Sequence, residues 1–343
     1  MRIDPALCPA IFGVAGLTLA PEEIDFFRAV KPFGFILFAR NIDTPDQVRA
    51  LTAELEPLAA CSPCPILIDQ EGGRVARLRP PHWPAYPKGE AFGRLYGQDP
   101  ALAKQAIYLN SRLIADDLHQ LGITVDCLPV LDVPARGSHD IIGDRAYARQ
   151  ADIVAALGSQ AIAGLMDGGV LPVIKHIPGH GRAGADSHLE LPHVTTRAAT
   201  LRKTDFVPFR AMRDAPFAMT AHVVYEDLDA DRPATTSPRI IEDVIRRDIG
   251  FDGVLMSDDL IMQALTGTLE ERARASQAAG CDLALHCNGV FDDMVAVAKG
   301  LDPASPGTLK RLTRAMHWLT PPKPFDREAA TWERDGLLAK APE

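Results

Sequence analysis

Short apolar runs alternate along the chain with longer stretches in which apolar positions return every three or four residues. That alternation predicts βαβ units and a parallel sheet. Eight runs read as strands: Ala10–Val14, Gly34–Phe38, Pro65–Asp69, Val125–Asp132, Leu171–His176, Phe217–His222, Gly253–Ser257 and Leu283–Cys287. Most are unbroken runs of Val, Ile and Leu type, the pattern of strands covered on both faces. The helical stretches between them include one opened by Thr44-Pro45-Asp46, with Val48, Leu51, Leu55 and Leu58 along one face. Others are Pro100–His119, Ala151–Met166, Ala198–Met212, Ser237–Asp248, Leu269–Ala279 and Val290–Lys299. Pro208 is expected to kink or break its helix. Eight strands with intervening helices predict an α/β chain folded as a single (β/α)8 TIM-type barrel; counting alone leaves an open doubly wound sheet as the alternative. The barrel is expected over residues 1–320. Past Pro321-Pro322-Lys323-Pro324 the pattern fades, and 321–343 is expected to be a C-terminal tail.

Composition agrees with one large soluble unit. The chain has 343 residues, of which 47% are hydrophobic, and a barrel needs roughly 250. Its formal net charge is −9, and no basic run relieves this locally, so nucleic acid is not an expected partner. Six cysteines are too few for a disulfide scaffold at this length. Cys61-Ser62-Pro63-Cys64 has redox-motif spacing, but a strand follows it rather than a helix, which favours two ordinary thiols. No signal peptide or spanning segment is legible, so a cytoplasmic protein without membrane association is expected; the expected state is a monomer.

The chemistry gathers where the apolar runs end. Asp69-Gln70-Glu71-Gly72-Gly73-Arg74, Asp132, Lys175-His176, Ala221-His222 and Ser257-Asp258-Asp259 each follow a strand directly. In a barrel these ends converge on one face. Ionisable groups there are costly unless they bind something, so five together indicate a shared polar site.

The stretch from Lys175 to His193 holds His176, His180, Asp186, His188 and His193, and three readings compete for it. A metal site suits the residue types, yet Pro178 and Gly179 keep His176 and His180 off a common helix face. Gly179-His180-Gly181-Arg182-Ala183-Gly184 matches a dinucleotide fingerprint, which should open a helix; the following Ala185–Pro192 has no helical period. In the third reading, Asp186 and His188, two apart, form an acid/base pair on a glycine-bearing loop able to fold over a ligand. Asp258, delivered by a buried strand, supplies a carboxylate that could attack a sugar's anomeric carbon.

These residues resemble glycoside hydrolase family 3, and within it the bacterial β-N-acetylglucosaminidase branch of peptidoglycan recycling. The resemblance runs from about Phe12 to Asn288. It covers Gly34–Asn41, Asp69–Val75, Asp126–Val133, Ile142–Tyr147, Lys175–His188, Ala221–Val223 and Phe251–Leu260 in family order. It implies Asp258 as nucleophile and His188 as acid/base, oriented by Asp186. It further implies that Asp69, Arg77, Arg145, Lys175 and His176 grip the non-reducing sugar, with no metal or cofactor required. The implied partner is a small carbohydrate, an N-acetylglucosamine-containing muropeptide, from which the terminal β-linked sugar leaves with retention. One departure stands out: the family often has a small or acidic residue where Arg182 follows Gly181, which bears on loop mobility and aglycone contact. The near alternative, a β-glucosidase or xylosidase of the same family, usually takes its acid/base from an added domain for which no length is left. A non-catalytic carbohydrate-binding barrel is the alternative from another class.

Overall fold

The computed structural model describes residues 2–185, 187 and 190–341. Eight parallel strands close into a barrel: β1 (Cys8–Gly13), β2 (Pro32–Leu37), β3 (Ile66–Ile68), β4 (Val125–Asp126), β5 (Leu171–Ile177), β6 (Phe217–Thr220), β7 (Val254–Asp259) and β8 (Leu283–His286). Each pairs with its sequence neighbours, and β8 pairs with β1 to close the ring. All eight expected strands are present, and the open-sheet alternative falls.

The unbroken apolar character of these strands follows from two separate burials. Ile11, Phe33, Ile36, Leu67, Val125, Val173, Phe217, Met219, Val254, Met256 and Leu283 fill the barrel interior. The alternate residues Ala10, Phe12, Phe35, Leu37, Ile66 and Ile68 pack outward against the helices. Both faces are dry, so neither sheds its apolar residues.

The outer layer comprises α1 (Pro21–Val30), α2 (Pro45–Leu55), α3 (Gly89–Gln98), α4 (Pro100–His119), α5 (Ala151–Asp167), α6 (Ala198–Leu201), α7 (Phe206–Ala211), the π-wound α8 (Ile240–Ile249), α9 (Leu269–Ala279), α10 (Phe291–Lys299), α11 (Pro306–Met316) and α12 (Arg327–Leu338). The start of α2 is as expected: the Thr44 hydroxyl accepts from Gln47 N at 3.3 Å and Pro45 takes the first turn.

Three local expectations change. The helix expected over Ala198–Met212 is two helices, and the break falls at residues 202–205, ahead of Pro208, which sits inside α7. A proline early in a helix gives up an N–H that has no partner there anyway. β4 stops at Asp126 rather than Asp132; past Pro129, which has no N–H to donate, only the isolated Val130–Lys175 bridge continues the pairing. The segment expected as a tail carries α12, which docks on α4. Ala330 and Leu337 are buried, Arg327 pairs with Asp116 and Asp117, and the Arg334 guanidinium lies 5.7 Å from the Tyr86 ring centre.

Candidate active site

A pocket of about 310 Å³ opens at the C-terminal ends of the strands. Its lining includes Asp69, Glu71, Arg74 and Arg77 after β3, Ile141 and Arg145 after β4, Lys175 and His176 at the end of β5, Asp258 and Asp259 at the end of β7, and Cys287 after β8. Six of the eight predicted site residues therefore meet in one cavity: Asp258, Asp69, Arg77, Arg145, Lys175 and His176. The other two, Asp186 and His188, lie outside the described residues.

The β3 exit is shaped by a tight turn. Glu71 N and Gly72 N both donate to Val75 O, at 3.0 and 3.1 Å. Gly72 has φ +95°, and a Cβ there would stand 2.2 Å from Pro87 O, so only glycine fits. The Gln70 amide, fully buried, ties the returning strand: its oxygen accepts from Arg77 N and Leu78 N, and its nitrogen donates to Leu78 O. This fixes Arg77 beside the pocket. The Arg77 guanidinium lies 4.9 Å from the Phe38 ring centre and donates to Asp69 Oδ2 at 3.1 Å.

Lys175 is the hub of the cluster. Its ammonium, almost wholly buried, reaches Asp69 Oδ1 at 2.8 Å and Glu71 Oε1 at 2.6 Å. Glu71 also takes a two-pronged contact from Arg145, at 2.8 and 2.7 Å. Burial alone would raise both carboxyls, but the cations outweigh it. Lys175 and Arg77 hold Asp69 well below the usual carboxylate range, and Arg145 with Lys175 brings Glu71 to about 2. Burial likewise opposes the Lys175 charge, and the two carboxylates more than restore it. The result is a locked, charge-compensated floor.

His176 is oriented by Asp132. Its Nδ1 lies 2.7 Å from Asp132 Oδ2, and its backbone N donates to Asp132 Oδ1 at 3.3 Å. His222, at the β6 exit, is buried; its Nε2 lies 3.0 Å from Asp259 O, so that nitrogen carries the proton, and Nδ1 then accepts from the Thr235 hydroxyl at 2.7 Å. That bond holds the backbone beside Asp258. Asp258 Oδ1 accepts from Asp259 N at 2.8 Å. Asp259 accepts from Cys287 N and Ile261 N, and burial, with the neighbouring Asp258 charge adding to it, pushes its carboxyl up to about 6.

The segment after β5 runs as turns through residue 185 and opens no helix, contrary to the needs of a dinucleotide fingerprint. Gly181 packs so closely on the β4 loop that a Cβ would lie 2.2 Å from Val133 O. Arg182, the family departure, donates to Asp205 Oδ2 at 2.7 Å and to Thr204 Oγ1 at 3.0 Å, bracing the segment against the turn between α6 and α7. Cys61 and Cys64 are free and buried, and burial pushes the Cys61 thiol up to about 12, which leaves it unreactive at neutral pH. Among the described residues, no helix is long and apolar enough to cross a membrane.

Sequence reasoning assigns no site role to Glu71, Asp132 or His180, although Glu71 and Asp132 stand at strand exits and His180 lies in the histidine-rich stretch. For Glu71 the signal was available: it stands two residues from Asp69, and extended backbone puts such residues on one side.

Fold and pocket together define a class: a (β/α)8 barrel enzyme whose strand ends present carboxylates and braced cations to a small polar substrate. The chain belongs to glycoside hydrolase family 3, since residues 30–315 match the glycosyl hydrolase family 3 N terminal domain. It is similar to a β-hexosaminidase of Alkalilimnicola ehrlichii, 39% identical over 90% of this chain and 88% of that one. A β-hexosaminidase of Bordetella avium is 36% identical over 90% of this chain and 88% of its own length. Among solved structures, NagZ from Neisseria gonorrhoeae in complex with N-trifluoroacetyl-D-glucosamine superposes with a TM-score of 0.85 at 32% identity, each chain covered in full. A family 3 β-N-acetylglucosaminidase from Paenibacillus gives 0.87 at 30% identity, covering 98% of this chain and 68% of that one.

Proposed function

We propose that this glycoside hydrolase is a retaining β-N-acetylglucosaminidase in which Asp258 is the nucleophile and His188 the acid/base, oriented by Asp186. The observation that carries the reading is the shared cavity: Asp258 lines the same 310 Å³ pocket as Asp69, Arg77, Arg145, Lys175 and His176, a volume suited to a single sugar ring. Asp69, Arg77, Lys175 and His176 bind the hydroxyls of the non-reducing sugar. Arg145 reaches it directly and also holds Glu71.

The reaction has two steps. The Asp258 carboxylate attacks C1, the C1–O bond breaks, and His188 gives its proton to the departing oxygen. Water then attacks C1, His188 takes its proton, and the Asp258 carboxylate leaves with configuration retained. The preference for N-acetylglucosamine is supported by relatives named β-hexosaminidase and by the N-trifluoroacetyl-D-glucosamine held by the Neisseria protein. The natural substrate in this reading is an anhydro-muropeptide in cell-wall recycling, cleaved in the cytoplasm by a monomer.

The deciding experiment is trapping with a fluorinated N-acetylglucosaminide followed by peptide mapping. The label is expected on the peptide ending β7. A label elsewhere, or release of the inverted anomer by NMR, overturns the mechanism. Equal kcat/KM on aryl β-glucosides and β-xylosides would reassign the substrate within the family.

A further inference from the structure

We infer that His180 is a positioning residue for this reaction: through Ser187 it sets where the loop carries its acid/base. The inference rests on the reading of His188 as that group, and it deepens it.

His180 and Ser187 are both buried. The His180 backbone N donates to Asp132 Oδ1 at 2.6 Å, the same carboxylate that orients His176. The two imidazoles meet edge to face, with centres 5.6 Å apart. At its far end, His180 Nε2 lies 3.2 Å from Ser187 Oγ. Ser187 is held from a second side, where its carbonyl accepts from Ala264 N at 3.3 Å, in the loop after β7. Ser187 stands between Asp186 and His188 in the chain. The loop is therefore fixed, at the residue between the proposed pair, to the exits of both β5 and β7.

The proton inventory gives the link a direction. Burial, with His176 alongside, pushes His180 down to about 4, so the ring is neutral at working pH and carries one N–H. Nδ1 has no hydrogen-bond partner among the described residues. A buried N–H without an acceptor costs more than a buried lone pair. The proton accordingly sits on Nε2 and is donated to Ser187 Oγ. Asp132 thus supports two things at once: His176, which lines the sugar pocket, and His180, which tethers the loop. Neither His180 nor Ser187 lines that pocket, so their effect is on placement.

Placement errors have a recognisable kinetic form. A misplacement of about 1 Å can cost on the order of 10²-fold in rate, and acid assistance matters most when the leaving group is poor. His180→Phe keeps the volume and removes both nitrogens, whereas His180→Gln restores an N–H where Nε2 stood. We expect His180→Phe and Ser187→Ala to lower kcat about 10- to 100-fold on phenyl β-N-acetylglucosaminide and only a few-fold on the dinitrophenyl glycoside, with KM little changed. His180→Gln should recover most of the loss, and the double variant should be no worse than either single one. If His180→Phe does not fold, as judged by thermal unfolding, Ser187→Ala with the same substrate pair carries the test. Equal losses on both leaving groups, additive losses, or a His180→Gln protein as poor as His180→Phe overturn the assignment. His188→Ala in the same assay separates the two failures. If it discriminates between leaving groups and the His180 and Ser187 variants do not, the positioning role falls. If it does not discriminate, the acid/base reading falls first.

Discussion

The two sides of the pocket are built differently. On the β3–β5 side both carboxylates that line the pocket are met by cations: Asp69 by Lys175 and Arg77, Glu71 by Lys175 and Arg145. On the β7–β8 side the lining is Asp258, Asp259, Met262, Leu285 and Cys287, with the two adjacent acids ending one strand. The first side depresses its carboxyl pKa values; on the second, Asp259 is raised to about 6. Fully paired charges make a rigid template that loses little order on binding polar hydroxyls. Their pairing also takes them out of chemistry, since a carboxylate held by two cations is a poor nucleophile. In the proposed mechanism the attacking carboxylate, Asp258, comes from the other side.

The widest separation between the sides should come from Asp258→Ala. Hydrolysis should fall on the order of 10³-fold or more, while affinity for N-acetylglucosamine, measured by calorimetry, stays within a few-fold. Unchanged kcat would remove Asp258 from the reaction. Lys175→Met should do something different, because it takes the shared cation from two buried carboxylates and leaves each with a single arginine. Removing one partner of a buried pair costs about 3–5 kcal/mol, so the urea midpoint should drop sharply along with sugar affinity. If Lys175→Met unfolds at the wild-type midpoint, the template is not held by that ammonium.

The same contrast explains what was legible beforehand. The barrel could be read because both faces of each strand are dry, which leaves runs such as Val254-Leu255-Met256 without a polar break. Asp258 and Lys175 could be read because an ionisable residue ending such a run has few structural uses. The partners that make the site work were harder to see. Asp132 sits six residues past the end of β4, and its contact with His180 depends on how the segment after β5 turns back. Asp205 interrupts the expected helix near Pro208, and it is the acid that receives Arg182, a pairing across 23 residues that no local pattern encodes. Helix α12 was missed because its docking is largely polar. Arg327 and Arg334 make the contacts while Trp332 stays exposed, so no apolar stripe announces it.

Stability against pH sharpens the comparison further. The paired side is stabilising wherever its carboxyls are ionised in the folded protein. That contribution is present above about pH 4 and fades as pH falls toward the folded value of Glu71, about 2. Asp259 works the other way. Its folded pKa lies above its unfolded one, so the folded state binds the extra proton between about pH 4 and about pH 6, and stability declines as pH rises through that window. Asp259→Asn keeps the oxygen that accepts from Cys287 N and Ile261 N and removes the titration. Relative to wild type, it should gain stability on going from pH 4 to pH 7, read from urea midpoints. No difference between the two pH values would mean Asp259 ionises normally.

The smallest expected effect lies outside the pocket. His286 ends β8, is fully buried, and among the described residues neither ring nitrogen has a hydrogen-bond partner. Burial pushes its pKa down, against the pull of Asp293 and Asn288. The unfolded chain therefore takes up a proton near pH 6.5 that the folded protein refuses, and stability is lost as pH falls below that value. His286→Leu removes both the unpaired polar atoms and the titration. It should raise stability by about 1 kcal/mol at pH 7 and flatten the decline between pH 6.5 and pH 5, with kcat unchanged. A destabilised His286→Leu protein would show that the imidazole makes a favourable contact its surroundings do not reveal.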